Sequence, residues 1–294
     1  MLIRLLSQFQ LWRLSALVFL SLGALSGCAA LDTRQGQWIF NPTARDWSDN
    51  EALVAAMQER WIEHTSAVTG KPVKLHAVVN PAANPDAPVL LYLHGARWSL
   101  AGSAYRIARM QELGFTVVAV DYRGFGKTSQ ETPHEKMAYE DAAAAWQWVA
   151  ATYPSKPRYI FGHSLGGAIA IDLASKVTDE AGTIVEGTFT SIPDVASTMR
   201  WGWLPVRPLI TQRFESIKKV ATIGSPLLVV HGSADNVVKQ ALGRQLYDAA
   251  ALPKRFVLVE GGSHSNTNSV GQNAYRTALL EMFGIGGQQT VAKQ

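Results

Sequence analysis

Cysteine is almost absent from the sequence, since Cys28 is the only one among the 294 residues. A single thiol cannot form an internal disulfide, which excludes a fold held together by disulfide bonds. The spacing that a zinc site requires is also missing: His64 and His76 have no partner at a zinc-binding interval, and His134 lies in a loop before a predicted helix. We therefore predict no metal site.

Runs of basic residues are lacking as well. The formal net charge is +4, from 27 basic and 23 acidic side chains. Removal of Arg4 and Arg13, which lie in a segment argued below to be cleaved, leaves 25 basic against 23 acidic side chains. A balance this small, without a basic stripe, gives no reason to expect a nucleic-acid partner. The hydrophobic content of 47% is instead typical of a chain with a sizeable buried core.

A complete phosphate-binding loop is the third absence. Phe125, Gly126, Lys127 and Thr128 look like the end of such a loop, but Asp121 stands where its first glycine should be. That substitution removes the close backbone approach on which phosphate binding depends. We predict no nucleotide and no other cofactor.

The N-terminus has the pattern of an export signal. Arg4 and Arg13 precede an apolar run over residues 14–25, which is followed by small residues. The run has 12 residues, whereas a helix that spans a bilayer needs roughly 20. A secretory signal fits this pattern better. We expect residues 1–27 to be a signal peptide and residues 28–294 to form one domain.

The end of this signal resembles a bacterial lipoprotein box, carried by Leu25-Ser26-Gly27-Cys28. The resemblance implies cleavage before Cys28 and attachment of lipid to it, which would anchor the protein to a membrane of the cell envelope. Ala29 favours the outer membrane, because the signal for inner-membrane retention usually places Asp at that position. The alternative is a short membrane anchor in which Cys28 is an incidental buried thiol.

From residue 73 onward, short apolar runs alternate with stretches of helical length. The runs are bounded by Gly, Pro or charge and read PVLLYLH, FTVVAV, RYIFG, TIVEGTF, PLLVVHG and RFVLVE. The stretches between and after them read AGSAYRIARMQEL, EKMAYEDAAAAWQWVAATY, LGGAIAIDLASKV, KQALGRQLYDAAAL and NAYRTALLEMF. This alternation predicts an α/β fold, with a mostly parallel sheet covered by helices on both faces. Upstream, residues 50–65 (NEALVAAMQERWIEHT) predict an amphipathic helix.

A nucleophile elbow is indicated by GHSLG, which follows the run RYIF. A strand, a sharp turn and a helix in this order expose the serine hydroxyl, and Gly162 and Gly166 leave room where side chains would clash. The same sequence also fits a simpler interpretation, in which Ser164 only caps the helix that begins near Leu165.

An acid and an imidazole follow two later strands. Asp235 comes after PLLVV and His264 after RFVLVE, so the chain order is Ser, Asp, His, as in α/β-hydrolases. A serine hydroxyl needs a base within hydrogen-bond reach and an acid that fixes the tautomer of that base. We predict that Ser164, His264 and Asp235 meet at one edge of the sheet. The alternative acid is Asp121.

Acyl transfer also needs backbone donors for the developing oxyanion. Leu165 supplies one N–H at the start of a helix, and Ala96, in the loop after PVLLYLH, supplies another. His94 in the same loop is expected to be a structural histidine at a strand end rather than a catalytic group.

With these residues in place, the chain resembles the α/β-hydrolase superfamily over about residues 73–283. The stretches LYLHGARWS, VVAVDYRGFGKT, FGHSLGGAIA, GTFTSIPDV and VVHGSADNVV look like the membrane-associated branch that includes protein depalmitoylases and lysophosphatidylserine lipases. This branch often has Arg where His163 stands. By the same resemblance, Asp121 of DYRG is expected to accept hydrogen bonds within its own turn.

The resemblance implies a small lid near residues 193–215. Six bulky apolar residues lie there: Trp201, Trp203, Leu204, Pro205, Val206 and Ile210. They suit either a lid over an acyl or lipid-like substrate or an ordinary buried helix. The expected activity is serine hydrolysis of an ester or thioester. The alternatives are a serine aminopeptidase and a catalytically silent binding or assembly lipoprotein of the envelope.

Overall fold

A computed structural model describes residues 30–42, 50–200 and 202–286. Its strands are β1 Gln58–Thr65, β2 Pro72–Asn80, β3 Val89–Leu93, β4 Thr116–Val120, β5 Arg158–His163, β6 Gly182–Glu186, β7 Leu227–Gly232 and β8 Lys254–Val259. They form one sheet in the order β1-β2-β4-β3-β5-β6-β7-β8. The pairs from β4 to β8 are parallel, whereas β1 with β2 and β2 with β4 are antiparallel.

The helices lie mainly between these strands. Residues 30–40 form α1. The others are α2 Glu51–Ala55, α3 Leu100–Glu112, α4 Glu135–Thr152, α5 Leu165–Ala174, α6 Ile192–Ser197, α7 Gln240–Ala249, α8 Thr267–Val270 and α9 Gln272–Phe283. Three single-turn 3-10 helices, Arg207–Leu209, Ser216–Lys218 and Val220–Thr222, connect α6 to β7.

The core has two halves, one on each face of the sheet. Alternate residues of a strand point to opposite faces, so Leu91 of β3 belongs to the half of the core that includes residues of α4, α5 and α7, while Leu90 belongs to the half that includes residues of α3 and α9. Strands covered in this way are apolar throughout, and all five residues of β3 are buried. The predicted α/β fold, with a mostly parallel sheet and helices on both faces, is confirmed.

The prediction of a helix over residues 50–65 is wrong for most of its length. Only Glu51–Ala55 is helical, and Gln58–Thr65 forms β1. All eight residues of β1 pair with β2, from Gln58 opposite Val79 to Thr65 opposite Pro72. This edge strand is exposed except near Ile62 and so lacks the alternation that marks a half-buried strand. Pairing with a neighbour, rather than local pattern, determines its conformation.

The predicted signal peptide at residues 1–27, Cys28 and Ala29 lie outside the described residues. Within the ranges 30–42, 50–200 and 202–286, no helix combines the length and the apolar composition that crossing a bilayer requires.

The helix α1 packs against the segment that follows α6. The amide of Gln35 donates to the Leu209 carbonyl at 2.6 Å and accepts from the Thr211 N–H at 2.8 Å. At the C-terminal end of α1, the Phe40 carbonyl accepts a hydrogen bond of 2.8 Å from the N–H of Arg97. The helix therefore connects the region after α6 to the loop that follows β3.

Candidate active site

Ser164 occupies a sharp turn between β5 and α5. Its φ of +57° lies in the region that L-residues with a side chain rarely adopt, which is the strain expected of a nucleophile elbow. The Ser164 side chain makes no capping hydrogen bond to α5, contrary to the interpretation as a simple helix cap. The turn is tight, because a Cβ on Gly162 would stand 2.2 Å from the Gly166 carbonyl oxygen.

Ser164, His264 and Asp235 form one chain of hydrogen bonds at the carboxyl edge of the sheet. His264 Nε2 lies 2.9 Å from Ser164 Oγ, and His264 Nδ1 lies 2.8 Å from Asp235 Oδ2. A carboxylate only accepts, so Nδ1 of His264 carries the proton and Nε2 is left to accept the serine O–H. The structure thus brings together the three residues that the sequence nominated from separate strand ends.

The Asp235 carboxylate is held by several donors. Its Oδ1 accepts hydrogen bonds of 2.9 Å from the N–H groups of Val237 and Val238. Burial by itself would raise the pKa of Asp235, but His231 and His264 beside the carboxylate lower that pKa below its ordinary value. Asp235 is therefore ionised at neutral pH and available to orient His264. His231 is fully buried and was not singled out from the sequence.

The loop after β3 reaches Ser164 from the opposite side. A Cβ on Gly95 would lie 3.1 Å from Ser164 Cβ, so only glycine allows this approach without a shift. Ala96 follows Gly95 directly, and Leu165 begins α5, where the first N–H groups have no intrahelical acceptor. The two predicted oxyanion donors thus belong to segments that flank the nucleophile. His94 is fully buried, and its Nδ1 lies 2.7 Å from the Gly95 carbonyl oxygen.

Asp121 lies in a different environment from Asp235. Its Oδ1 accepts a 2.9 Å hydrogen bond from the N–H of Leu100, the first residue of α3, and its carboxylate faces His94 and His76. The expectation that this carboxylate bonds within its own turn is therefore wrong. The turn is closed instead by the Thr128 hydroxyl, which donates to the Asp121 carbonyl. Buried N–H groups at a helix start require such an acceptor, which explains the carboxylate's position.

The predicted lid segment, residues 193–215, contains α6 and the first 3-10 helix. Trp203 is 74% exposed and Leu209 61% exposed, and Met199 and Leu204 are exposed as well. These side chains do not form the buried helix that was the alternative for this segment. Trp201 lies outside the described residues.

Three buried residues near His264 were missed from the sequence: Arg106, Glu186 and Tyr275. Arg106 Nε donates to Glu186 Oε1 at 3.1 Å, and the Tyr275 hydroxyl donates to Glu186 Oε2 at 2.5 Å. Glu186 ends β6, at the sheet edge where Ser164, Asp235 and His264 lie. Glu186 could have been found from the sequence, because it is an acid at the end of an apolar strand.

No group of three or more His, Cys, Asp or Glu residues suited to a metal ion occurs in the part of the chain that the structure describes.

Known proteins resemble this chain over part of its length. The model of the serine aminopeptidase S33 family matches residues 83–216. An uncharacterized protein of Mycobacterium tuberculosis H37Rv is 34% identical over 183 residues, which cover 62% of this chain and 64% of that protein. The lysophosphatidylserine lipase ABHD12 of Danio rerio is 34% identical over 187 residues, 57% of this chain and 48% of the lipase. The chain thus aligns with about half to two thirds of the length of these relatives.

Two esterases are among the solved structures that have the same fold. Est1E of Butyrivibrio proteoclasticus, determined with ferulic acid, has a TM-score of 0.63 at 18% identity and covers 76% of this chain and 99% of its own. The esterase Pf2001 of Pyrococcus furiosus has a TM-score of 0.62 at 20% identity, covering 83% and 97%. The protein has the α/β-hydrolase fold, and the resemblance to that superfamily seen in the sequence is confirmed.

Proposed function

We propose that the protein is a serine hydrolase that cleaves a carboxylic ester or thioester through an acyl-enzyme on Ser164. The observation that carries the proposal is the unbroken chain of hydrogen bonds from Ser164 Oγ through His264 to Asp235, with distances of 2.9 and 2.8 Å. Such a chain activates a hydroxyl that is otherwise a weak nucleophile. It also argues against a catalytically silent protein, which has no need to keep it.

Each residue of the site has its own part in the reaction. Ser164 Oγ attacks the acyl carbon while His264 Nε2 takes the hydroxyl proton, and Asp235 stabilises the imidazolium that results. The N–H groups of Ala96 and Leu165 donate to the oxyanion. Collapse of the tetrahedral intermediate breaks the bond to the leaving oxygen or sulfur, which receives the proton from His264. Water then attacks the acyl carbon while His264 takes its proton. Collapse of the second tetrahedral intermediate breaks the bond between Ser164 Oγ and the acyl carbon, and His264 returns the proton to Oγ as the acid leaves.

An acyl or lipid-like substrate is favoured by exposed apolar side chains in two segments, one after β3 and one after α6. The loop after β3 exposes Trp98, and the segment after α6 exposes Met199, Trp203 and Leu209. Exposed apolar side chains of this size mark surfaces that contact hydrophobic ligands or membranes. The lipase among the sequence relatives and the esterases with the same fold support this choice.

The N-terminal sequence supports a site of action at the cell envelope. Attachment of lipid to Cys28 would provide two or more acyl chains, enough for stable anchoring. The chain is helical from residue 30, and this helix bonds to the segment after α6 and to the loop that carries Ala96. An anchor at Cys28 would therefore join the bilayer to a helix that contacts both of these segments. The mass of the mature N-terminal peptide tests this step, since an unmodified Cys28 would contradict it.

A peptidase is the second candidate, because the matching family model is that of serine aminopeptidases. Binding of a substrate α-amine needs a carboxylate aimed into the mouth of the site. The Asp235 carboxylate does not provide one, since it already bonds to His264 and to two backbone N–H groups.

One substrate panel separates these candidates. We expect p-nitrophenyl esters, from acetyl to palmitoyl, and the matched acyl-thioesters to be hydrolysed, with higher kcat/KM for longer chains, and aminoacyl p-nitroanilides to be left intact. Ser164→Ala serves as the blank for spontaneous hydrolysis. Turnover of the anilides alone would identify a peptidase, and no turnover of any substrate by folded protein would identify a silent hydrolase fold.

A further inference from the structure

A buried ion pair lies under the loop that carries His264. Arg106 of α3 is 4% exposed and Glu186 of β6 is fully buried. The guanidinium Nε donates to Glu186 Oε1 at 3.1 Å. A buried ion pair contributes little net stability, because the cost of removing both charges from water offsets their attraction. A role for this pair must therefore be sought in its contacts with the rest of the site.

Two successive carbonyl groups of the His264 loop accept hydrogen bonds from buried side chains. The ring Nε2 of His163 lies 2.9 Å from the His264 carbonyl oxygen, and Arg106 Nη2 lies 3.0 Å from the Ser265 carbonyl oxygen. The rings of His163 and His264 also pack together, with centroids 4.9 Å apart. Both donors point at the backbone of the residues that place His264, and neither contacts Ser164 Oγ.

Glu186 connects these donors to the nucleophile. Its carbonyl oxygen accepts a 2.9 Å hydrogen bond from the Ser164 N–H, while its carboxylate holds Arg106. His163 immediately precedes Ser164 and lies against the loop after β3, since a Cβ on Gly95 would meet its Nδ1 at 3.3 Å. The backbone of Ser164 and the backbone of the His264 loop are thus connected through the buried pair of Glu186 and Arg106.

We propose that His163 and Arg106 are positioning residues, which hold the peptide groups of His264 and Ser265 so that His264 Nε2 meets Ser164 Oγ in line. The proposal rests on the function proposed above, because it concerns the same reaction. Small displacements matter here: misplacing a reacting group by about 1 Å can cost on the order of 100-fold in rate.

The protonation state of His163 suits this role. Burial lowers the pKa of His163 well below its usual value, and the charges of Arg106 and His264 act in the same direction, against opposing contributions from the hydrogen bond to the His264 backbone and from Asp235. The Glu186 carboxylate lies 4.0 Å from its Nε2. A neutral His163 with its proton on Nε2 donates to the His264 carbonyl without adding a second cation beside the imidazolium that forms during catalysis.

Two substitutions at position 163 separate positioning from stability. His163→Phe keeps a ring of similar size but removes the donor, whereas the amide of His163→Gln reaches the His264 carbonyl with an N–H. We expect the Phe variant to lose about 10- to 100-fold in kcat with KM within about two-fold of wild type. The Gln variant should recover most of that loss. Thermal melts of both variants measure how much folded protein each assay contains.

Arg106→Lys is the second, independent variant. It keeps a cation beside Glu186 but lacks the planar fork that serves Glu186 and the Ser265 carbonyl together. We expect the same pattern, a fall in kcat with little change in KM. Wild-type kcat in both His163→Phe and Arg106→Lys would overturn the proposal, as would losses in kcat no larger than the loss of folded protein.

A spectroscopic measurement keeps this test separate from the proposed function. The proton shared by His264 Nδ1 and Asp235 gives a downfield NMR resonance whose position depends on their alignment. We expect His163→Phe to shift or broaden it and His163→Gln to preserve it. Wild-type protein that hydrolyses no ester would end the proposed function and leave the positioning role standing, whereas an unchanged resonance in His163→Phe would by itself contradict the positioning role.

Discussion

At the residue scale, two aspartates in similar sequence contexts have different roles. Asp235 and Asp121 both follow buried strands of the sheet, β7 and β4. Only Asp235 lies within hydrogen-bond distance of His264, at 2.8 Å, whereas Asp121 accepts the N–H of Leu100 at the start of α3. The chain order Ser, Asp, His therefore identifies the acid that bonds to His264 better than the position of an aspartate after a strand does.

Substitution of each aspartate by asparagine should separate catalysis from stability. Asp235→Asn retains the shape of the side chain but favours the wrong tautomer of His264, so we expect turnover to fall about ten-thousand-fold near neutral pH. Asp121→Asn should cost roughly 1–3 kcal/mol of stability, because it weakens the acceptor for Leu100 and removes the charge beside His94. Kinetics and thermal melts on both variants make the comparison. An active Asp235→Asn beside a stable but inactive Asp121→Asn would move the acid to Asp121.

Residue contacts set by distant parts of the chain were not predictable from local pattern. Ser164, Asp235 and His264 were found because each follows an apolar strand and because their chemistry is complementary. The contacts of Arg106 and His163 with the His264 loop depend on how α3 and the end of β5 pack against that loop, which no spacing in the sequence records. His231 belongs to the stretch VVHGSADNVV, yet its position beside Asp235 appears only in the folded chain.

At the scale of elements, the six strands β3 to β8 and five long helices were predicted and β1 and β2 were not. The parallel strands are short, apolar and bounded by Gly, Pro or charge, so each can be recognised from its own residues. β1 is an exposed edge strand whose partner is β2, and its sequence reads equally well as the continuation of a helix. Edge strands are stabilised by pairing more than by composition, which explains the error.

The packing of the elbow against β3 leads to a test of one element. A Cβ on Gly166 would stand 2.1 Å from the Leu93 carbonyl oxygen, a backbone atom that cannot rotate away. We expect Gly166→Ala to destabilise the protein by about 1–3 kcal/mol and to lower kcat, because β3 carries the loop with Ala96. Gly224→Ala is the matched control, since nothing lies within 4 Å of its Cβ position. Equal urea midpoints for the two variants would contradict this account of the elbow.

At the scale of the whole molecule, stability should depend on the pH through His163. Burial lowers the pKa of His163 well below 6.5, so the folded protein keeps this ring neutral where the unfolded chain binds a proton. Below about pH 6.5 unfolding therefore takes up a proton, and stability falls as the pH falls, by at most about 1.4 kcal/mol per pH unit for one group. Above that pH neither state binds the proton, so no stability is lost through His163.

His163→Gln isolates this contribution, because glutamine does not titrate and the other ionisable groups are common to both proteins. We expect the stability of the variant relative to wild type to rise as the pH is lowered from about 7.5 to about 5. Urea denaturation at several pH values measures the difference. Parallel curves for the two proteins over this range would mean that His163 titrates alike in the folded and unfolded states.

The central claim is that Ser164 is a nucleophile activated by His264 and Asp235, and covalent labelling measures this most directly. Wild-type protein treated with a fluorophosphonate should gain one adduct, located by peptide mass spectrometry on Ser164. Ser164→Ala should gain none and should lose ester turnover on the order of a million-fold, with an unchanged melting temperature. Folded wild-type protein that takes up no label, or a Ser164→Ala variant that is still labelled and active, would contradict the account.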